Sequence, residues 1–207
     1  PPTYPLGGGF YLSQPRIEEY AVVDLQDLGL NNLTERQSSL LIGATVTLEE
    51  FLDFLNNLEK DSFKEKFDLK KAIQLEAAFN QRQVATIAGT IVSAGGRSPL
   101  VTSLMALNAV AKVISKGEVI DEINLGDMYP LWMNKKRGKL IVEVEIPTNV
   151  NIVSKYVARS PAVLRIVCCA VCKWPSGRTR GVRGGHGASP IRCLDGTGED
   201  GLEMAAE

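Results

Sequence analysis

Arg82-Gln-Val-Ala-Thr-Ile-Ala-Gly-Thr-Ile91 is the stretch on which the fold turns, because it sets small residues and hydroxyls between two apolar helical patterns. Its centre, Ala85-Thr-Ile-Ala-Gly-Thr90, has a counterpart near the start of the chain, Pro5-Leu-Gly-Gly-Gly-Phe10. Consecutive backbone N–H groups converge on an anion only where no side chain obstructs the approach, so loops of this kind suit a phosphate. Gly7, Gly8 and Gly9 meet that requirement, and so does Gly89 with the hydroxyls of Thr86 and Thr90. A glycine triplet taken alone is more often a tight structural turn.

Upstream of the second loop, Thr47-Leu-Glu-Glu50 is a capping box, and Leu48, Phe51, Leu52, Leu55 and Leu58 follow at helical spacing. A second helix is expected from Asp68 to Ala78, with Leu69, Ala72, Ile73 and Ala77 as its apolar stripe. Downstream, Ser98 is a helix N-cap and Pro99 the first helical residue, with Leu100, Leu104, Met105 and Leu107 turned inward. The second loop therefore lies between two helices and ends on a helix N-terminus.

The rest of the chain reads as strands. Tyr20-Ala-Val-Val-Asp-Leu25 and Ser39-Leu-Leu-Ile-Gly-Ala44 are short apolar runs expected to be buried on both faces and to pair with each other. Ala111 to Ser115, Glu118 to Asn124 and Lys139 to Ile146 are extended, and in the last of these Leu140, Val142, Val144 and Ile146 should share one buried face. Pro147-Thr-Asn-Val marks a boundary. Beyond it, Ala162 to Trp174 and Gly177 to Gly184 form two strands joined by Pro175-Ser-Gly, followed by a loop and the beginning of a helix at Leu202 to Glu207.

A chain of 207 residues, 44% hydrophobic and 23% charged, can bury a real core in one or two domains. Its 23 basic and 24 acidic residues nearly cancel, which leaves no global attraction for nucleic acid or an anionic membrane. No apolar run approaches the roughly 20 residues of a membrane span, and no basic-then-apolar leader opens the sequence, so cytoplasmic residence is expected. The opening Pro1-Pro2 with no strand before the glycine loop, and the closing helix start, suggest a domain truncated at both ends.

The two loops in their settings resemble the FAD-binding subunit of the molybdenum hydroxylases, the family of the carbon monoxide dehydrogenase medium subunit and the xanthine dehydrogenase flavin domain. That family's first loop, roughly Ala-Gly-Gly-Thr-x-Leu after Pro-Leu, is similar to Pro5-Leu-Gly-Gly-Gly-Phe-Tyr-Leu12. Its second, roughly Arg-Asn-x-Ala-Thr-Ile-Gly-Gly-Asn-Ile followed by a helix with Leu-Leu-Ala-Leu, is similar to Arg82–Ile91 and Leu104-Met-Ala-Leu107. Val23-Asp-Leu25, Ile42-Gly-Ala44, Glu145-Ile-Pro147, Tyr156-Val-Ala-Arg159 and Gly184-Gly-His-Gly-Ala-Ser-Pro190 follow in the family's order.

The resemblance implies an α+β fold: a two-subdomain FAD-binding domain of the PCMH type over residues 1–148, then a small α+β domain with an antiparallel sheet over 149–207. It implies FAD held by Gly7, Gly8, Gly9, Phe10, Tyr11 and Leu12 on one side and Thr86, Ile87, Ala88, Gly89 and Thr90 on the other. It also implies electron transfer from iron–sulfur clusters through FAD to an external acceptor, with an iron–sulfur subunit and a molybdopterin subunit as partners. Several positions depart from the pattern. Phe10 stands where the family carries Thr, Ala88 replaces a glycine and blocks a close approach if that position needs positive φ, Thr90 replaces an Asn, and Pro99 replaces an Asp. Arg97 and Ser98 are then the residues left to contact a phosphate at that helix start. These departures support a second reading, a homologue with a degenerate flavin site acting as a structural or assembly component. A third, a self-contained flavin reductase, lacks an identifiable catalytic acid and base.

Other constellations have plainer explanations. Cys168, Cys169 and Cys172 on one strand alternate faces, so they and Cys193 read as reduced thiols, not a zinc site. His186 is the only histidine, sits among glycines, and reads as a surface turn residue. Arg178-Thr-Arg-Gly-Val-Arg183 reads as the solvated face of a hairpin, and Glu143 and Glu145 as solvent-facing.

Overall fold

The computed structural model describes residues 1–15, 17–58, 67–115, 120–129, 138–158, 166–185 and 187–197. His186, the first residues of the expected strands at Glu118 and Ala162, and the expected final helix at 202–207 lie outside the described residues.

Two helices form where their caps are written. In α1 (Leu48–Asn57) the Thr47 hydroxyl accepts from Glu50 N at 3.2 Å, while Glu50 Oε2 accepts from Thr47 N at 2.8 Å. This buries Leu48, Phe51, Leu52 and Leu55 on one face. In α5 (Pro99–Ala106) Ser98 Oγ accepts from Val101 N at 3.0 Å, with Pro99 in the first turn. All eight residues of α5 are buried, which makes it the central helix.

Between them, α2 (Phe67–Glu76) agrees with the expected second helix, followed by the single turn α3 (Phe79–Arg82). Next comes α4 (Ile87–Ser93), capped by Thr86. The expected second loop is thus a helix for most of its length: Ile87, Ala88, Gly89 and Thr90 form its first turn. Thr86 places its hydroxyl on Gly89 N at 3.2 Å, and this N-cap bond converts the segment from loop to helix.

The strands form three sheets. β1 (Thr3–Leu6) and β2 (Ala21–Asp24) make a parallel pair. A five-stranded sheet has the order β3-β4-β7-β5-β6, with β3 Leu33–Glu35, β4 Ser39–Gly43, β5 Val110–Ile114, β6 Ile120–Asn124 and β7 Leu140–Pro147. A four-stranded antiparallel sheet has the order β11-β10-β9-β8, with β8 Asn151–Val157, β9 Val167–Lys173, β10 Arg178–Gly184 and β11 Ile191–Thr197. Its inner residues Ile152, Ala170, Cys172 and Val182 join one core cluster with α1, α5 and the five-stranded sheet.

Several pairings differ from expectation. The run at Tyr20–Leu25 does not pair with Ser39–Ala44: β2 lies beside β1 and is exposed throughout, whereas β4 is fully buried between β3 and β7. In β7 the alternation is broken by a bulge, where Lys112 faces Glu143 but Val113 faces Ile141. Ile141, Val144 and Ile146 are buried while Leu140 and Val142 are only half-buried. Glu143 is also half-buried and ion-paired with Lys112 at 2.7 Å, not simply solvent-facing. β11 occupies the segment expected to be a loop, and β8 begins four residues after Pro147. In β9, Cys168 and Cys172 are buried on one face and Cys169 is half-buried on the other; no disulfide links the four cysteines.

α2 delivers a carboxylate to the start of α5. Glu76 Oε2 accepts from Ser98 Oγ at 2.7 Å and from Leu100 N at 2.9 Å, where the helix presents unpaired amides. Burial pushes the Glu76 carboxyl above its ordinary value of 4.5, against the lowering effect of the Leu100 and Ser98 hydrogen bonds. A carboxyl raised in the folded state contributes stability that is complete below the unfolded pKa and lost as pH rises through the folded one. Glu76→Gln keeps an oxygen for both donors and removes the charge. Thermal midpoints measured from roughly pH 4 to 8 should therefore fall less with rising pH in the variant; parallel curves would assign the decline to other groups.

Candidate functional site

The site is built where the segment after β1 meets the segment before α4. The two glycine-bearing stretches are in direct backbone contact. A Cβ placed on Gly8 would lie 1.7 Å from the carbonyl oxygen of Val84, and one on Gly7 would lie 2.9 Å from Thr86 Oγ1. The absent side chains at 7 and 8 are thus required by the neighbouring segment of the protein. Gly9 has φ +78°, a left-handed conformation that favours glycine.

Around that contact the first loop is tied at both ends. The Gln26 side-chain amide donates to Gly7 O, and Leu25 N donates to Leu6 O at 3.0 Å. Beyond the turn, Ser13 N donates to Gly9 O at 2.9 Å, Ser13 Oγ to Phe10 O at 2.8 Å and Tyr20 OH to Leu12 O at 3.3 Å. The carbonyls of Leu6, Gly7, Gly9, Phe10 and Leu12 are engaged, but the N–H groups of Gly8, Gly9 and Phe10 donate to no acceptor among the described residues. Successive N–H groups without partners, in a half-buried turn that includes a left-handed residue, form an anion-binding concavity.

The second stretch is the opposite case, with its donors already engaged. Ile87 N donates to Val46 O at 2.9 Å, Ala88 N to Ala44 O at 3.3 Å, Gly89 N to the Thr86 hydroxyl, and Thr90 N to Thr86 O at 2.8 Å. Leu48 N also donates to Ala85 O at 2.8 Å, so the start of α1 and the start of α4 are laced together. Thr86, Ile87, Ala88 and Thr90 are buried, and Gly89 is the exposed residue of the turn. This half of the site is a rigid wall against which the first loop rests.

The structure resolves the departures noted in the sequence. Ala88 is helical, and Asn108 is the one non-glycine with positive φ among the described residues, so the Ala88 methyl imposes no strain. Phe10 is 36% exposed and Tyr11 is exposed, while Leu12 is half-buried. Pro99 lies at an α5 N-terminus already closed by Glu76. Ser98 is buried and bonded to Glu76, so its hydroxyl serves the helix cap, while Arg97 is exposed and accepts from Cys168 Sγ through its backbone oxygen at 3.5 Å. Sequence reasoning missed Gln26 and the carbonyl of Val84. The second acts through its backbone and carries no side-chain signal.

The described residues hold no helix long and apolar enough to cross a membrane. Residues 7–149 match the family model described as the FAD binding domain in molybdopterin dehydrogenase. No curated protein sequence matches the chain. Among solved structures, the chain is similar to quinoline 2-oxidoreductase from Pseudomonas putida 86, with 20% identity over 93% of this chain and 70% of that one and a TM-score of 0.75. It is similar to the reconstituted CO dehydrogenase from Oligotropha carboxidovorans at 20% identity, 98% and 77% coverage and a TM-score of 0.76. It also resembles the carbon monoxide dehydrogenase from Hydrogenophaga pseudoflava that lacks the Mo-pyranopterin moiety, at 16% identity, 99% and 77% coverage and a TM-score of 0.74. At these identities the likeness is one of fold.

Proposed function

We propose, for a chain that belongs to the family of FAD-binding domains in molybdopterin dehydrogenases, that it is the electron-transfer subunit of a molybdenum-hydroxylase-type oxidoreductase. FAD is the cofactor of this family, and the residues present fit it. The N–H groups of Gly8, Gly9 and Phe10 would hold its diphosphate, and the laced segment from Val84 to Thr90 would fix the loop that presents them. Bound FAD supplies the redox chemistry, and the protein supplies position and electrostatics.

Electrons would arrive from an iron–sulfur subunit and leave to an external acceptor, with the organic substrate oxidised on a separate molybdopterin subunit. The neighbours named CO dehydrogenase and quinoline 2-oxidoreductase support that reading by fold. We assign the flavin domain to residues 1–148 and a smaller domain to 149–207. Among the described residues the five- and four-stranded sheets share no strand, which supports this division.

The observation that carries the proposal is the N–H run of Gly8 to Phe10, without an acceptor among the described residues, at the contact with Val84. The degenerate-site reading loses its support from Ala88, which is helical. Purified full-length protein should show the visible absorption of an oxidised flavin, alone or after incubation with excess FAD. No flavin spectrum after that incubation would leave the scaffold as a non-flavin homologue. Co-purification with iron–sulfur and molybdopterin subunits tests the assembly.

A further inference from the structure

We propose that the Glu49–Arg82 ion pair positions the flavin site, holding the Val84 carbonyl against Gly8 and through it setting the first loop. The inference rests on the flavin reading above and adds two residues to which no role has yet been given, Glu49 of α1 and Arg82 at the head of the second stretch. Arg82 ends α3, two residues before Val84, and Glu49 lies in the first turn of α1. Arg82 Nε donates to Glu49 Oε2 at 2.6 Å and Nη1 to Ala77 O at 2.9 Å, and the guanidinium lies 5.9 Å from the centre of the Phe79 ring. Both side chains are largely buried, at 12% and 14% exposure. A guanidinium fixed by two acceptors and a ring has little freedom to shift.

Val84 itself has no anchor of its own. Its side chain is 42% exposed, and among the described residues its N–H bonds only to Gln81 O, one turn back in the chain. The place of its carbonyl is therefore decided by the residues on either side. On the downstream side Ala85 O accepts from Leu48 N and Ile87 N donates to Val46 O. On the upstream side the tie to the same helix is Arg82 to Glu49. α1 thus grips the segment before and after Val84, and that carbonyl is where a Gly8 Cβ would have to go. Releasing the upstream grip frees Val84 to move away from Gly8, and the Gly8–Phe10 amides lose the wall that orders them.

The test uses the full-length protein and compares Glu49→Gln and Arg82→Lys with Glu143→Gln. The last breaks the Lys112–Glu143 pair on the five-stranded sheet and serves as the control. FAD affinity is read by titrating apoprotein, fold stability by apoprotein melting, and loop geometry by the visible circular dichroism of flavin at saturating FAD. Glu49→Gln should weaken FAD by about tenfold or more and alter the flavin dichroism, a change of roughly 1.4 kcal/mol. Arg82→Lys keeps the charge but cannot reach both acceptors, and it should fall between Glu49→Gln and wild type. Glu143→Gln should leave affinity and dichroism unchanged. The proposal is overturned if wild type binds FAD while Glu49→Gln and Arg82→Lys match it in affinity and dichroism, whatever their melting points. Wild-type protein that binds no FAD overturns the flavin reading and this inference together. Should Glu49→Gln not fold, Arg82→Lys alone decides.

Discussion

Gly8→Ala should yield folded protein with little or no FAD, its affinity reduced by roughly a hundredfold or more. The added methyl would sit 1.7 Å from a backbone carbonyl oxygen, and backbone cannot rotate aside as a side chain can. Overpacking of this kind costs about 1–3 kcal/mol where neighbours can shift. Here the neighbour is held by the Leu48–Ala85 and Ile87–Val46 bonds, so the first loop is what moves, and the amides of Gly8, Gly9 and Phe10 move with it. Gly7→Ala is the graded comparison. Its methyl meets the Thr86 hydroxyl at 2.9 Å, a side-chain group with some freedom, and about a tenfold loss is expected. FAD titration of both variants, with far-ultraviolet dichroism to confirm the fold, checks the order. If Gly7→Ala were the more damaging, or both bound FAD normally, the contact with Val84 would not be what shapes the cradle.

Local chemistry was the legible part of this fold. The capping box at Thr47 and Glu50, the Ser98 cap and the Pro99 start are each decided within four residues, and all form as the side chains dictate. The α+β class and the FAD assignment came from the resemblance carried by the two loops, and the family match over residues 7–149 shows both. What failed was non-local. Nothing in Ala21–Asp24 says that it pairs in parallel with Thr3–Leu6, since a short run of three apolar residues is compatible with either neighbour. The β7 bulge arises from pairing with β5, so simple alternation misplaced Ile141.

The site shows the same division. The glycines were legible as places where backbone comes close to something. That the something at Gly7 and Gly8 is Thr86 and Val84 required coordinates. So did Glu76, which accepts from the Leu100 amide 24 residues away along the chain and from the Ser98 hydroxyl, one of the groups expected to contact a phosphate.

Arg180→Met should lower the thermal midpoint by about 10 °C while leaving FAD affinity unchanged below the transition. The arginine run of β10 is not a solvated face. Arg180 is 3% exposed, bonded through Nη2 to Asp195 Oδ2 at 2.7 Å and through Nη1 to Asn108 Oδ1, with its guanidinium 5.9 Å from the Trp174 ring centre. Asn108 closes α5. It has φ 58°, its N–H donates to Met105 O at 3.2 Å, and Ala109 N donates to Leu104 O at 3.0 Å, the paired bonds of a Schellman motif. Arg180 therefore joins the four-stranded sheet to the C-terminal end of the central helix, where a cation is favoured.

Methionine conserves much of the volume but orphans the Asn108 oxygen, about 1–3 kcal/mol, and forfeits the stacking on Trp174, about 0.5–2 kcal/mol. Asp195 is not orphaned, because Arg178 holds it at 3.0 and 3.1 Å. A total near 3 kcal/mol in a chain of this size corresponds to about 10 °C. Asp195 adds a pH signature. Burial raises its carboxyl, but the hydrogen bonds and charges of Arg180 and Arg178 outweigh that and hold it below its ordinary 3.8. A depressed carboxyl contributes stability above the unfolded pKa and loses it as pH falls through the folded one. The gap between wild type and Arg180→Met should therefore narrow as pH drops below about 3.8. A gap independent of pH would place the loss in packing and the Asn108 bond alone, and a change in FAD affinity would mean that the two sheets are coupled through α5 to the flavin loop.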